Sequence, residues 1–317
     1  MKHYLGIDLG GTNIVAGVVD ENYKIIAEAK VKTECPRPPK NIMEDMASVA
    51  KKAVAEAKLS MDDIEWVGVG CPGTVNQNTG NIEYANNLNF YDVPMRKELT
   101  EMLGKEIHID NDANAAAYGE FVAGAAKGAT NAVAITLGTG VGSGIIVGGK
   151  IYSGSNFAGA ELGHMIINVD GASCTCGRKG CFESYGSATA LINSTKEKML
   201  SNKKSLMWKL CDNNLDKVDG KTSFDAMREG DKHAKEVVEQ YVSYLGAGLV
   251  NIINIFQPEI ICIGGGVSRE GDNLLVPLRE YAKTQNYARF SENQTKIVAA
   301  ELGSEAGIIG AAMLGNS

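Results

Sequence analysis

Short apolar runs alternate with stretches of helical periodicity along the 317 residues of this chain. Residues 4–8 and 14–20 are apolar runs separated by a glycine turn, which predicts two adjoining strands. Across residues 41–58 apolar side chains recur at every third or fourth position, which predicts an amphipathic helix. Strands that alternate with helices, together with antiparallel hairpins, favour an α/β fold built on mixed sheets.

The same reasoning predicts the other elements. Strands are expected at 64–70, 106–110, 132–148 (a hairpin), 259–263 and 296–300. Helices are expected at 95–103, from Asp112 onward, from about 231 to 256, at 273–284 and at 305–315. Residues 201–222 are polar and include Asn213, Asn214 and Gly220, so we expect a loop or a lid edge there.

Two glycine turns occupy matching places in this pattern. Gly10-Gly11-Thr12-Asn13 follows the first strand, and Gly138-Thr139-Gly140 lies within the 132–148 hairpin. Because the strands that precede these turns are also alike, we interpret the pattern as a weak internal duplication. The chain is longer than the roughly 250–300 residues that one hydrophobic core serves, so we expect two domains with one hairpin in each. Two such hairpins facing each other would form a cleft for a polyphosphate.

Glycine turns of this kind suit phosphate binding. Their backbone amides can point together at an anion, because glycine accepts positive φ and has no Cβ to block the approach. Asp8 precedes the first turn, where its carboxylate could hold Mg²⁺ through water. One turn alone would be equally consistent with an ordinary hairpin, whereas the matched pair with Asp8 favours phosphate. The run Gly264-Gly265-Gly266 at the end of a strand suits contact with a nucleotide.

Other nucleotide-binding motifs are incomplete in this chain. Gly220-Lys221-Thr222 resembles the end of a P-loop, but Leu215 stands where its first glycine is required. A dinucleotide-binding fingerprint that began at Gly138 would need a third glycine where the chain has Ser143.

A candidate general base lies where a predicted strand meets a predicted helix, in the segment Asp110-Asn111-Asp112. A kinase that acts on an alcohol needs a carboxylate to accept the hydroxyl proton. Asp112 and Asp110 both fit this role. The alternative for Asp112 is a structural role as the helix N-cap, which aspartate favours. Spacing alone leaves these interpretations open.

A cluster of cysteines and one histidine predicts a metal site. The set is His164, Cys174, Cys176 and Cys181. Tetrahedral Zn²⁺ favours Cys₃His sets in structural sites, and four protein ligands would leave no open position for catalysis. The alternative is three unligated thiols in a loop. Glu161 and Glu183 flank the cluster and could accept hydrogen bonds from a polyol, while the second ring nitrogen of His164 could donate one.

Charge and hydropathy exclude several classes of function. The formal net charge is −7, which argues against nucleic acid and against an anionic membrane surface as partners. No run of about 18 apolar residues predicts a membrane span, and no apolar signal region precedes a cleavage site. We therefore expect a cytoplasmic protein.

Several of these segments together resemble the ROK family (repressor, open reading frame, kinase), and within it the glucokinase-like members. GIDLGGTNIVAGVVD is similar to the first phosphate motif of the family, LGTGVGSGI to the second and NDAN at 111–114 to the catalytic segment. GAELGHMIINVDGASCTCGRKGCFES is similar to the family signature that carries the zinc cluster. The resemblance extends over nearly the whole chain.

This resemblance implies an actin-like (ribonuclease-H-like) two-domain ATPase fold with a cleft between the domains. The implied small domain is 1–114 with 303–317, and the implied large domain is 115–302. Asp112 would be the general base. The implied sugar contacts are Gly73, Asn87, Asn111, Asp112, Glu161, His164 and Glu183. The implied ATP contacts are Asp8, Gly10, Gly11, Thr12, Asn13, Gly138, Thr139, Gly140, Gly265 and Gly266, and the implied zinc ligands are His164, Cys174, Cys176 and Cys181.

The function that follows is an ATP- and Mg²⁺-dependent hexose kinase with structural Zn²⁺, most simply a glucokinase, and the family implies a homodimer. One departure bears on the sugar: many family glucokinases have glycine where this chain has Asn89. The alternatives are a kinase for N-acetylglucosamine, N-acetylmannosamine or fructose, a sugar-responsive repressor, and a non-catalytic actin-like ATPase. The repressor is disfavoured because Asp8 already lies inside the phosphate motif, and the ATPase because such proteins lack the cysteine signature.

Overall fold

The computed structural model describes every residue from Met1 to Ser317 and divides into two compact units. The first unit comprises Met1–Ala134, Gly144–Ala160 and Glu301–Ser317. The second unit comprises Ile135–Ser143 and Glu161–Ala300. No helix combines the length and the apolar character that crossing a membrane requires.

Strands and helices alternate along the chain, which confirms the predicted α/β class. The strands are β1 His3–Leu9, β2 Asn13–Asp20, β3 Ile25–Lys32, β4 Ile64–Cys71, β5 Thr74–Asn76, β6 Asn81–Ala85, β7 Phe90–Val93, β8 Ile107–Asn111, β9 Ala132–Leu137, β10 Val141–Val147, β11 Lys150–Ile151, β12 Ile260–Gly265 and β13 Lys296–Ala299. The helices are α1 Pro39–Glu56, α2 Met95–Leu103, α3 Asp112–Val122, α4 Glu183–Gly186, α5 Ala188–Ser201, α6 Met207–Leu210, α7 Thr222–Arg228, α8 Lys232–Phe256, α9 Asp272–Gln285 and α10 Ala306–Met313.

A five-stranded mixed sheet with the order β3-β2-β1-β4-β8 forms the centre of the first unit. β1 is antiparallel to β2 and parallel to β4, which in turn is parallel to β8. The register places Asp8 opposite Gly70 and Gly70 opposite Asp110. Because the carboxyl ends of parallel strands share one edge, the end of β1 and the start of α3 lie at the same edge of this sheet.

Helix α10 packs against this sheet with almost no space between the two backbones. A Cβ added to Gly6 would lie 2.0 Å from the carbonyl oxygen of Ile308, and one added to Gly68 would lie 1.7 Å from that of Ala311. On the other side of the helix, a Cβ on Gly310 would lie 1.7 Å from the carbonyl oxygen of Ala115 in α3. Only glycine permits this separation, so α10 is an integral layer of the first unit.

A second five-stranded sheet has the order β11-β10-β9-β12-β13, with β12 parallel to β13. The longest helix of the second unit, α8, is capped by Asp231, whose side chain accepts hydrogen bonds from the backbone N–H groups of His233 and Ala234. This N-cap satisfies two of the amides that a helix start leaves unpaired. The helix ends one residue before Gln257, which has φ of 45°.

The prediction of a loop at residues 201–222 was wrong. This stretch contains α6 and a 3₁₀ helix at Leu215–Lys217, and α7 begins at its end. Met207, Cys211 and Val218 are buried together in a small apolar cluster. These three apolar residues are too few and too irregularly spaced to give a helical period. The many polar residues between them made the sequence resemble a loop.

The structure also contains a three-stranded sheet, β5-β6-β7, that the pattern of residues did not predict. The 3₁₀ helix Asn86–Leu88 lies between β6 and β7. It is followed by Asn89, whose backbone is in the left-handed region with φ of 54°. Asparagine adopts this conformation more readily than other residues with side chains. The asparagine therefore keeps the backbone shape that glycine at this position would allow.

Candidate active site and metal cluster

Two carboxyl groups interact at the edge of the first sheet. Asp8 lies near the end of β1 and Asp112 is the first residue of α3, and both are half-buried. Burial, together with the negative charge of Asp112, raises the pKa of Asp8 to about 6. Burial also raises the pKa of Asp112 above its ordinary value. Paired carboxyl groups with raised pKa values can accept protons near neutral pH, which an ordinary surface aspartate does poorly.

The start of α3 is capped by Asn111 and not by Asp112, so the structural alternative for Asp112 is wrong. The Asn111 side chain accepts hydrogen bonds from the backbone N–H groups of Ala113 at 2.9 Å and Asn114 at 3.3 Å. Asp112 accepts one from another residue, from the Ala113 N–H to Oδ1 at 2.9 Å, and no other residue donates to its Oδ2. One oxygen of Asp112 is therefore available to a ligand.

Asp110, the other candidate base, is fully buried and fully bonded. Its Oδ1 accepts hydrogen bonds from Asn114 Nδ2 at 2.9 Å and from the Asn111 N–H at 2.7 Å. Its Oδ2 accepts one from Gln77 Nε2 at 2.5 Å. A carboxylate with these partners holds the strand end in place and is less available to a substrate than Asp112.

The first glycine turn, residues 10–13, is fixed by hydrogen bonds on one side and exposed to solvent on the other. The Gly10 N–H donates to the Asn13 carbonyl at 2.9 Å, and Thr33 Oγ1 donates to the Gly10 carbonyl at 2.6 Å. The Thr33 N–H donates to the Thr12 carbonyl at 3.0 Å. Gly11, Thr12 and Asn13 are exposed. The turn is thus fixed by the segment after β3, and its outer residues can receive a ligand.

The other predicted sugar contacts of the first unit lie in the loops after β4 and β6. Gly73 has φ of 95°, and its carbonyl accepts a hydrogen bond from Asn111 Nδ2 at 3.1 Å. A Cβ at Gly73 would lie 2.1 Å from the Tyr84 carbonyl oxygen, so only glycine fits there. Asn87 is exposed on its 3₁₀ helix.

In the second unit the glycine turn Gly138-Thr139-Gly140 is tied to the chain around α4. Glu183 Oε2 accepts a hydrogen bond from the Val141 N–H at 3.0 Å, and the Ala188 N–H donates to the Gly138 carbonyl at 2.9 Å. A Cβ at Gly140 would lie 2.3 Å from Glu183 Oε2. The turn is therefore shaped around this carboxylate.

Gly265 lies against the strand that leads into the same turn. Its φ is 88°, and a Cβ there would lie 2.2 Å from the Leu137 carbonyl oxygen. Gly266, which follows, has open space where its side chain would be. The second unit thus brings two of its predicted nucleotide segments together and leaves backbone accessible at both.

The four predicted zinc ligands meet at one point of the second unit. Their ligand atoms all lie within 4.8 Å of one another. Cys174 Sγ is 3.6 Å from His164 Nδ1, and Cys176 Sγ is 3.6 Å from Cys181 Sγ. Zn–S bonds of about 2.3 Å in a tetrahedron place sulfur atoms roughly 3.8 Å apart, so the set fits Zn²⁺ closely.

Glycines and one arginine shape the loop that carries these ligands. Gly177 and Gly180 have φ of 85° and 76°, which lets the chain turn between the cysteines. Arg178 donates to the His164 carbonyl at 2.5 Å, and its backbone N–H is the main cause of a lowered pKa, about 6, for the Cys176 thiol. A thiol with that pKa supplies the thiolate that metals require.

Glu161 and Glu183 both contact the chain that carries this cluster. The Glu161 carbonyl accepts the His164 N–H at 3.0 Å, and Glu161 is exposed. Glu183 Oε1 accepts a hydrogen bond from Thr175 Oγ1 at 3.0 Å and lies 3.8 Å from Cys174 Sγ. One carboxylate therefore contacts both the metal loop and the glycine turn.

Sequence reasoning missed the residues that hold these groups in place. Gln77 and Asn114 bind Asp110, Thr33 holds the first turn, and Thr175 holds Glu183. Thr175 lies within the cysteine segment and Asn114 within the segment 111–114, so both had a neighbouring signal. Gln77 and Thr33 reach their partners from distant parts of the sequence, so no local spacing could have revealed them.

Comparison with known proteins places these features in one family. The ROK family model matches residues 4–317. The glucokinase of Thermotoga maritima is 37% identical over 315 residues, which cover 98% of this chain and 96% of that protein. The crystal structure of a ROK family glucokinase from Streptomyces griseus, in complex with glucose and AMPPNP, is 35% identical, with a TM-score of 0.79 and 98% of each chain covered. The ROK hexokinase structure from Thermus thermophilus is 31% identical, also with a TM-score of 0.79, and covers 98% of this chain and 97% of that one.

Proposed function

This chain belongs to the ROK family, and we propose that it is a kinase that transfers the γ-phosphoryl group of ATP to a hydroxyl of glucose. The observation that carries the proposal is the state of Asp112. It is half-buried, its pKa is raised, and no other residue donates to its Oδ2, while the neighbouring Asp110 is fully bonded. The chemistry and the glucokinase relatives thus support the same reaction.

Asp112 is the general base of the proposed reaction. A glucose hydroxyl donates its proton to Asp112 Oδ2 as its oxygen attacks the γ-phosphorus of ATP. The new O–P bond forms while the bond from phosphorus to the β,γ-bridging oxygen breaks, and ADP leaves with that oxygen. General bases of this kind contribute about 10²–10⁴ in rate.

The glycine segments supply the contacts for ATP in this proposal. The exposed backbone around Gly11 and Thr12, and that around Thr139, would donate to phosphate oxygens. Gly266 leaves room for the nucleotide beside its strand. The AMPPNP complex of the similar Streptomyces griseus glucokinase supports ATP as the donor.

Two metals belong to the proposal. Mg²⁺ would be held near Asp8 and would neutralise phosphate charge, and a carboxylate is the ligand type that Mg²⁺ prefers. Zn²⁺ would be held by His164 and the three cysteines, whose spacing fits a tetrahedral ion. With all four positions filled by protein, the zinc would be structural and would fix the loop between Glu161 and Glu183.

The residues that we propose to contact the hexose all offer hydrogen-bonding groups. They are Gly73, Asn87, Asn111, Asp112, Glu161, His164 and Glu183. Such a site penalises a sugar that leaves a buried polar group unpaired by ~1–3 kcal/mol for each lost partner. We also propose that the protein is a homodimer, as the family resemblance implies, and that it is cytoplasmic, with no nucleic acid or membrane partner.

A coupled assay of ADP release tests the function directly. Glucose should give the highest kcat/KM, with mannose and N-acetylglucosamine at least tenfold weaker, a difference of roughly 1.4 kcal/mol. Asp112→Asn serves as the inactive control. If an N-acetylhexosamine gives the highest kcat/KM, the kinase class stands and the choice of glucose is wrong. If no sugar stimulates ADP release above the Asp112→Asn control, the proposed function fails.

A further inference from the structure

Thr33, which follows β3, holds two carbonyl groups of the first glycine turn. Thr33 is completely buried. Its Oγ1 donates to the Gly10 carbonyl at 2.6 Å, and its backbone N–H donates to the Thr12 carbonyl at 3.0 Å. Buried polar groups in native proteins are nearly always hydrogen-bonded, and these two bonds satisfy Thr33. One residue therefore fixes the turn at two points.

These two contacts also determine where backbone N–H groups of the turn point. The peptide bonds of the turn are trans. In a trans peptide the C=O group and the N–H group of the next residue point in opposite directions. The N–H groups of Gly11 and Asn13 are therefore directed away from Thr33, and both residues are exposed. Two backbone donors thus face the side on which an anion can approach the turn.

Arg37 connects Thr33 to helix α1. Its Nε donates to the Thr33 carbonyl at 2.7 Å, and its Nη2 donates to the carboxylate of Asp45 in α1, with which it forms an ion pair. A guanidinium presents its donors in one fixed plane, so it can hold a carbonyl and a carboxylate at the same time. A continuous series of hydrogen bonds therefore leads from α1 through Arg37 and Thr33 to the glycine turn.

We propose that Arg37 is a positioning residue for the binding of ATP at the first glycine turn. It holds Thr33 in the orientation that directs the N–H groups of Gly11 and Asn13 at a phosphate, while Asp45 fixes the guanidinium to α1. Arg37 is not among the residues that we propose to contact ATP, so it acts through Thr33. The inference rests on the proposed function, in which this turn binds the phosphates of ATP.

Calorimetry with AMPPNP, in the absence of sugar, tests this role. The test variant is Arg37→Met, which removes both hydrogen bonds and keeps much of the apolar part of the side chain. Arg96→Met is the matched control, because Arg96 also holds backbone carbonyls of the first unit, those of Gln77 at 2.7 Å and Ile107 at 3.1 Å. Arg96 holds none in the glycine turn. A second pair of variants changes Thr33: Thr33→Val removes the hydroxyl group, and Thr33→Ser keeps it.

We expect Arg37→Met and Thr33→Val each to weaken AMPPNP binding by about 3–10-fold, the effect of one lost hydrogen bond. Arg96→Met and Thr33→Ser should bind AMPPNP as the wild type does. In the double variant the loss should be smaller than the product of the two single losses, because both changes act on one turn. Wild-type affinity in Arg37→Met, an equal loss in Arg96→Met, or a fully multiplicative loss in the double variant would overturn the proposal. Arg37→Lys keeps one donor and should lose less, and it decides the question if Arg37→Met does not fold.

Kinase assays separate this inference from the proposed function. In Arg37→Met the KM for ATP should rise, while kcat and the KM for glucose change little. A wild type that phosphorylates no sugar, but whose variants bind AMPPNP in the expected order, would refute only the proposed reaction. An active kinase in which Arg37→Met keeps the wild-type affinity for AMPPNP would refute only the role of Arg37. A wild type that does not bind AMPPNP would overturn both.

Discussion

Glu183 accepts a hydrogen bond from the backbone N–H of Val141 at 3.0 Å while its other oxygen accepts one from Thr175. This single side chain connects the glycine turn that precedes Val141 to the loop that carries the cysteines. The metal cluster and the proposed phosphate contacts of the second unit therefore depend on each other through one carboxylate.

Removing this carboxylate should weaken nucleotide binding. Glu183→Ala leaves the Val141 N–H without its partner, a loss of about 1–3 kcal/mol that corresponds to roughly 5–150-fold. We expect AMPPNP affinity, measured by calorimetry without sugar, to fall within that range. Thr175→Val is the matched control, because it removes one contact to Glu183 and keeps the bond to Val141. Unchanged affinity in Glu183→Ala would show that the turn holds its shape alone.

Asp112→Asn should abolish most turnover and leave the fold intact. Asparagine has the same shape but cannot accept the hydroxyl proton, so kcat should fall by about 10²–10⁴ while glucose affinity changes far less. Asp110→Asn is the informative comparison, since it should lower stability by weakening the bonds to Gln77 and Asn114. A larger loss of kcat in a folded Asp110→Asn protein would reverse the assignment of the base.

The protein should contain about one zinc per chain by elemental analysis. Cys176→Ala should lose that zinc, lower the melting temperature and weaken sugar binding, because the loop that carries His164 would no longer be fixed. Cys35→Ala, a cysteine outside the cluster, should retain the metal. The expectation would be contradicted if freshly prepared protein, purified without a chelator, contained no transition metal.

The pKa of Asp8, about 6, predicts how stability changes with pH. Its folded-state pKa lies above the ordinary value of 3.8, so folding is penalised when the group is ionised and the penalty fades as pH falls from about 6 towards 4. Asp8→Asn should therefore be more stable than wild type at pH 7, with the difference shrinking towards pH 4. Urea denaturation of both proteins across this range measures it. A difference that is constant with pH would show that Asp8 is not perturbed.

Substitutions at Asn89 test whether the left-handed backbone conformation of this residue affects stability. Its φ of 54° is unfavourable for most residues with a Cβ, by roughly 1–2 kcal/mol. Asn89→Ala should therefore lower stability by about 1 kcal/mol, whereas Asn89→Gly should be close to neutral. Thermal denaturation of the two variants is sufficient, and equal melting temperatures would mean that the turn relaxes around alanine.

The sequence predicted several strands and helices, among them α2, which spans Met95–Leu103 as expected. It did not predict the edge strand β3 or the helix α5. It failed at 201–222 and at the small sheet β5-β6-β7, where short elements are defined by tertiary burial and not by local pattern. The metal cluster could be predicted because its ligands are close in sequence. The choice between Asp110 and Asp112 could not be made from spacing, because it depends on bonds from Gln77 and Asn114.

The close packing of α10 against Gly6 and Gly68 has a consequence for the order in which the protein is made. Residues 306–313 leave the ribosome about 300 residues after β1. At about 5–20 residues per second, the glycine-lined face of the first sheet waits roughly 15–60 s for the helix that covers it. All of the second unit is translated during that interval. The unit that contains the first residues of the chain is thus the last to be completed.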